Sequence, residues 1–116
     1  MGRIQVSNMN QLSILLVNYP FSNQTEFKTR PAVVISNNEF NKKHRYCLTC
    51  PITSKESLKE FELELEKNDF DGNLNKKSFI RSDSIASIEK SLIVRKIGQI
   101  NLQLFERLKK KIIENL

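Results

Sequence analysis

The chain has 116 residues, 39% of them apolar, which is the usual size of one domain and enough for a modest core without covalent staples. Nineteen Lys and Arg stand against thirteen Asp and Glu, and the formal charge of +6 biases the surface towards polyanions, nucleic acid first among them. No run approaches the ~20 apolar residues that cross a bilayer, and residues 1–8 lack a long apolar segment, so neither a membrane protein nor a secretion signal is expected and the cytoplasm is the default location.

Residues 1–11 are set apart as a leader or added segment, Met9 offering an alternative start, and residues 12–116 as one domain. Residues 12–18 (LSILLVN) predict a buried strand that Tyr19-Pro20-Phe21 ends, because proline cannot donate to a ladder. The polar stretch 22–30 reads as a loop leading into Pro31 and a second strand, AVVIS, over 32–36. Asn37-Asn38 marks a turn, and residues 45–51 form a third strand broken by Ile52-Thr53-Ser54.

The segment 60–66 (EFELELE) alternates, with Phe61, Leu63 and Leu65 on one face and glutamates facing outward. A turn-rich connection over 68–77 leads to short strands at 78–80 and 84–88 and a last strand, 92–97, ending at Gly98. From Asn101, a plausible N-cap, the period becomes helical: Leu102, Phe105, Leu108, Ile112 and Ile113 recur on one face, with Lys109-Lys110-Lys111 on the solvated side. Short strands without crossover helices, then one helix, predict a mainly β fold: a small antiparallel barrel closed by a C-terminal helix.

Cys47 and Cys50 form a CxxC, but in a strand a spacing of three sends them to opposite faces. With His44 the only histidine, one chain's Cys and His cannot assemble a four-ligand site, so no metal is expected. His44, flanked by Lys42, Lys43 and Arg45, is a poor basis for histidine catalysis. A phosphate loop, a nucleophile elbow and a nucleotide fingerprint are all lacking, so no cofactor is expected. What remains is a set of polar residues at strand ends: Arg30 before Pro31, Thr53 and Ser54 after Pro51, and Arg81 with Asp83.

Five segments in order carry a resemblance: LLVNYPFS (15–22), KTRPAVVIS (28–36), CPITS (50–54), SFIRSDSIASIEKS (78–91) and RKIGQIN (95–101). On these the chain resembles the MazF/PemK-type toxins. The resemblance implies an SH3-like, CcdB/MazF-like barrel that forms a homodimer, cleaves single-stranded RNA at short sequences, and is held inactive by a cognate antitoxin protein. It further implies that Arg30 and Thr53 belong to the active site, joined in PemK-like members by Arg81 and Asp83. The family's first strand commonly opens on Gly-Asp, where this chain has Leu12-Ser13.

Those roles fit metal-free RNA cleavage. The ribose 2′-hydroxyl attacks its own phosphate, giving 2′,3′-cyclic phosphate or 3′-phosphate ends, and the site needs a base, stabilisation of the phosphorane and a proton for the 5′-oxygen. Asp83 is the candidate base and Glu26 its alternative; a guanidinium, Arg30 or Arg81, matches phosphate oxygens, and Thr53 with Ser54 adds neutral hydrogen bonds. Ser54, Glu26, Lys28 and Phe21 are the candidate substrate-binding residues. The alternative reading is a catalytically inactive relative, or a CcdB-like protein-binding toxin, on the same fold.

Overall fold

The computed structural model of the chain describes residues 9–20, 27–56 and 59–116. In chain order the elements are β1 Ser13–Pro20, β2 Phe27–Val34, α1 Asn38–Lys43, β3 Tyr46–Thr53, β4 Glu62–Leu65, β5 Phe70–Gly72, β6 Ser78–Arg81, β7 Ala86–Glu89, β8 Ile93–Ile100 and α2 Leu102–Glu114. Every pairing is antiparallel, along the path β4-β6-β3-β2-β1-β8-β5, with β7 also paired to β3. The sheet curls into a nearly closed barrel, as the short-strand pattern predicted.

The apolar runs of the central strands have a direct cause: both faces are covered. Ile14, Val33, Cys50, Ile52 and Ile80 face a core completed by Leu104, Phe105 and Leu108 of α2. Leu15, Val17, Ala32, Val34 and Cys47 face a second core with Met9, Ile88 and Ile93. Cys47 and Cys50 therefore sit in different cores, both fully buried, as their spacing requires. Met9, within the segment set apart as a leader, is only 1% exposed, and nearby Gln11 Nε2 donates to the Ile35 carbonyl at 2.8 Å. No described helix is long and apolar enough to cross a membrane.

Several local expectations are corrected. The second strand starts at Phe27 instead of residue 32, because β1 pairs it over its whole length, Val17 with Arg30 and Tyr19 with Lys28. The expected turn at Asn37-Asn38 is the start of α1, capped by Asn37, whose side chain accepts from the Phe40 amide at 2.8 Å. Asn41 on that helix is buried and donates to the carbonyls of Met9 and Ser36, so its inward face is polar and shows no apolar period. Glu62 was expected outward but is 8% exposed, held beside Arg81.

The 68–77 connection contains β5, which pairs with β8 past the expected end of that strand. Gly98 marks a close approach of two backbones instead of a terminus: it lies opposite Gly72, and a Cβ at either position would fall on a carbonyl oxygen of the neighbouring strand. Asn101 does cap α2, accepting from the Leu104 amide at 2.8 Å. The helix buries Leu104 along with Phe105 and Leu108, while Leu102 and Ile113 point to solvent at 61% and 68% exposure.

Candidate active site

Register brings the first candidate group together. Ala32 pairs with Pro51, so two residues further along each strand Arg30 and Thr53 come abreast on one face. They line an open cleft of about 410 Å³ with Ser54, Thr29 and, from the connection after β5, Asn75 and Lys76. The Lys55 amide donates to Thr53 Oγ1 at 3.1 Å, which occupies one lone pair and leaves the hydroxyl proton to donate into the cleft. Arg30 is exposed and makes no ion pair with another described residue. Nearby, burial pushes the Tyr19 hydroxyl above the ordinary phenol range, so it stays protonated.

Arg81 and Asp83 form a second group. Arg81 Nε donates to Asp83 Oδ1 at 2.9 Å and Nη2 to Oδ2 at 2.8 Å, a two-pronged, charge-assisted contact. Glu62 stands 3.8 Å from the same guanidinium. The hydrogen bond to Arg81 holds the Asp83 carboxyl below its usual range, and the same bond raises the Arg81 guanidinium. Thr53 pairs with Phe79, two residues before Arg81, so Arg81 issues from the face of the sheet that carries Thr53. Neither Arg81 nor Asp83 lines the Arg30 cleft; Asp83 borders a separate hollow of about 310 Å³ with Phe61, Ile85 and Leu116.

Of the substrate-binding candidates, Ser54 lines the cleft, whereas Lys28 is exposed on β2 outside it. Glu26 and Phe21 lie outside the described residues. Sequence reasoning missed Asn75 and Lys76: they belong to a segment read only as a turn-rich connection, and their run of amide and lysine side chains was the available signal. Among the described residues, no cluster of three or more His, Cys, Asp or Glu is placed to hold a metal ion. Burial pushes the Cys47 and Cys50 thiols up to about 11 and about 12, out of the range of metal-ligating or redox cysteines.

The nearly closed barrel with one C-terminal helix matches solved MazF structures. The profile of PemK-like, MazF-like toxins of type II toxin-antitoxin systems matches residues 10–116, and the chain belongs to that family. Toxin MazF-mt6 of Mycobacterium tuberculosis superposes with a TM-score of 0.72 at 19% identity, over 88% of this chain and 93% of that one. A MazE-MazF structure from Deinococcus radiodurans gives 0.75 at 20% identity, over 90% and 92%. A mycobacterial endoribonuclease in complex with its cognate antitoxin gives 0.74 at 10% identity, over 90% and 91%. No curated protein matches the chain by sequence.

Proposed function

We propose that this protein is a metal-independent, sequence-selective endoribonuclease that cleaves single-stranded RNA, acting as the toxin of its pair. The observation that carries the reading is the cleft in which an exposed Arg30 stands beside the Thr53 hydroxyl and Ser54. A guanidinium without an ion-pair partner among the described residues and two hydroxyls make a cradle for a phosphodiester, and all are donors, as a phosphorane with two charged oxygens requires.

The step balances as follows. The 2′-hydroxyl proton passes to a water molecule in the cleft while the 2′-oxygen bonds to phosphorus. The P–O5′ bond breaks, leaving a 2′,3′-cyclic phosphate, and the 5′-oxygen takes a proton from solvent, which the open cleft admits. Arg30 holds the phosphorane charge and Thr53 and Ser54 bind its oxygens, while Arg81 and Asp83 remain paired to each other outside the cleft. RNA lying on the cleft also meets Arg81, since Arg81 and Thr53 share a face.

The protein acts as a homodimer, and a cognate antitoxin covers the cleft when the toxin is silent; relatives of this fold occur bound to antitoxins. The test is to incubate wild-type and Arg30→Ala protein with a long single-stranded RNA in EDTA and map the ends. Discrete cuts by wild type alone, ending in cyclic phosphate, are expected. Intact RNA with both proteins would overturn the reading in favour of a protein-binding toxin.

A further inference from the structure

At the end of β3 remote from Thr53, the chain carries a second cationic feature. Lys42, Lys43, His44 and Arg45, with Lys90 and Ser91 across from them, line an open cleft of about 400 Å³. Two carboxylates are nearby: Glu89 lines the same cleft and is 3.5 Å from the Ser91 hydroxyl, and Glu39 pairs with Lys43 at 3.4 Å. Lys42, Arg45 and Lys90 have no ion-pair partner among the described residues. Aromatic rings adjoin the charge. The His44 ring lies 4.2 Å from Phe40 and 5.2 Å from Tyr46, centroid to centroid, the latter stacked at an interplanar angle of 28°, and all three are half-buried.

The feature is held in place. The Asn37 cap and the buried Asn41, bonded to the carbonyls of Met9 and Ser36, anchor α1 to the barrel, and the Lys90 amide donates to the Arg45 carbonyl at 2.9 Å. A charge run that served only solubility would need neither the anchoring nor the rings.

We propose that this cleft is a second RNA-binding site, which grips the phosphates of the strand flanking the cut with Lys42, Arg45 and Lys90 and stacks a base on the His44–Tyr46 rings. Unpaired cations beside stackable rings are the means by which single strands are held without regard to sequence. An acidic peptide would answer the charge but leave the rings without a role. Seven residues of extended β3 put the Tyr46 and Thr53 backbones at most roughly 23 Å apart, and the odd spacing turns their side chains to opposite faces, so an RNA joining the two sites passes round the edge of the barrel. The inference rests on the endoribonuclease reading, and the site supplies affinity while the Arg30 cleft supplies chemistry.

The test compares wild type with the triple variant Lys42→Gln/Arg45→Gln/Lys90→Gln, and with Lys109→Gln/Lys110→Gln/Lys111→Gln on α2, which removes equal charge elsewhere. Binding of a mixed-sequence, uncleavable 2′-O-methyl RNA of about 20 nucleotides is followed by fluorescence anisotropy across a salt series. The first variant is expected to bind about tenfold more weakly, with the slope of log K against log salt reduced by about 2, while the α2 variant stays near wild type. Tyr46→Ser should weaken binding without changing the slope. Equal losses in both triple variants, or none in the first, overturn the proposal. Loss of antitoxin binding alone in the first variant assigns the cleft to a protein and overturns it too. Wild type that binds this RNA with the full slope but cuts no natural RNA overturns the endoribonuclease reading instead.

Discussion

Arg81 grips Asp83 across a single residue, through two hydrogen bonds of 2.9 and 2.8 Å, with the buried Glu62 3.8 Å behind the same guanidinium. The contact favours the ionised carboxylate, so the folded Asp83 titrates below its unfolded value. Its contribution to stability is therefore complete above the ordinary carboxylate range and is lost as pH falls through the folded value. Below about pH 4 the melting temperature of wild type should drop more steeply than that of Asp83→Asn, which has no such proton to take up. Parallel Tm–pH curves from scanning calorimetry would refute the linkage.

Arg30 is exposed and stands in the cleft, so its removal should cost chemistry and spare the fold. Arg30→Ala is expected to lower RNA cleavage about 10²- to 10³-fold, the scale of losing one preorganised donor to a developing oxyanion. Thr53→Ser should retain most activity, because a hydroxyl remains, and Thr53→Ala should not. Single-turnover cleavage alongside thermal melts separates the two effects; a large fall in Tm for Arg30→Ala would mean a structural role.

Gly98 faces Gly72 across β5 and β8 at a distance that admits no Cβ. Gly98→Ala must push β5 off β8, and a loss of about 1–3 kcal/mol is expected, as for other overpacked positions. Denaturant melts measure it, and a neutral result would show that the two strands are not so close.

Leu12 has a φ of 82°, in the left-handed region that bulky residues rarely adopt. Leu12 also packs partly against the α2 core, so both truncations lose contacts. Leu12→Gly should nevertheless be more stable than Leu12→Ala by about 1 kcal/mol, the reverse of the usual order. Equal stabilities would indicate that the backbone is not strained.

Cys47 and Cys50, buried in separate cores with their thiols raised to about 11 and about 12, should be inert in the folded protein. Titration with a thiol reagent at mild alkaline pH is expected to give no rapid reaction until denaturant is added, when both react. A fast native phase would contradict the packing of β3.

Residues whose role depends on near neighbours were legible in the chain itself. The central apolar runs, the opposed cysteines and the Asn101 cap follow from periodicities of two and 3.6 and from one side chain's reach to a nearby amide, all local properties. The candidate site was legible only because Arg30, Thr53 and Ser54 stand in segments of a recognised pattern. What the tertiary structure alone decided is which of these residues meet. Antiparallel register sets Arg30 beside Thr53, and Leu74, Asn75 and Lys76 line the same cleft, while Asp83 is turned to Arg81, away from it. Glycine at 98 signalled an end when read locally and proved to be a crossing, and Glu62 signalled a solvent face yet is buried beside Arg81. Close approach between backbones and the pairing of distant charges are properties of strands brought together from far along the sequence, and no local pattern encodes them.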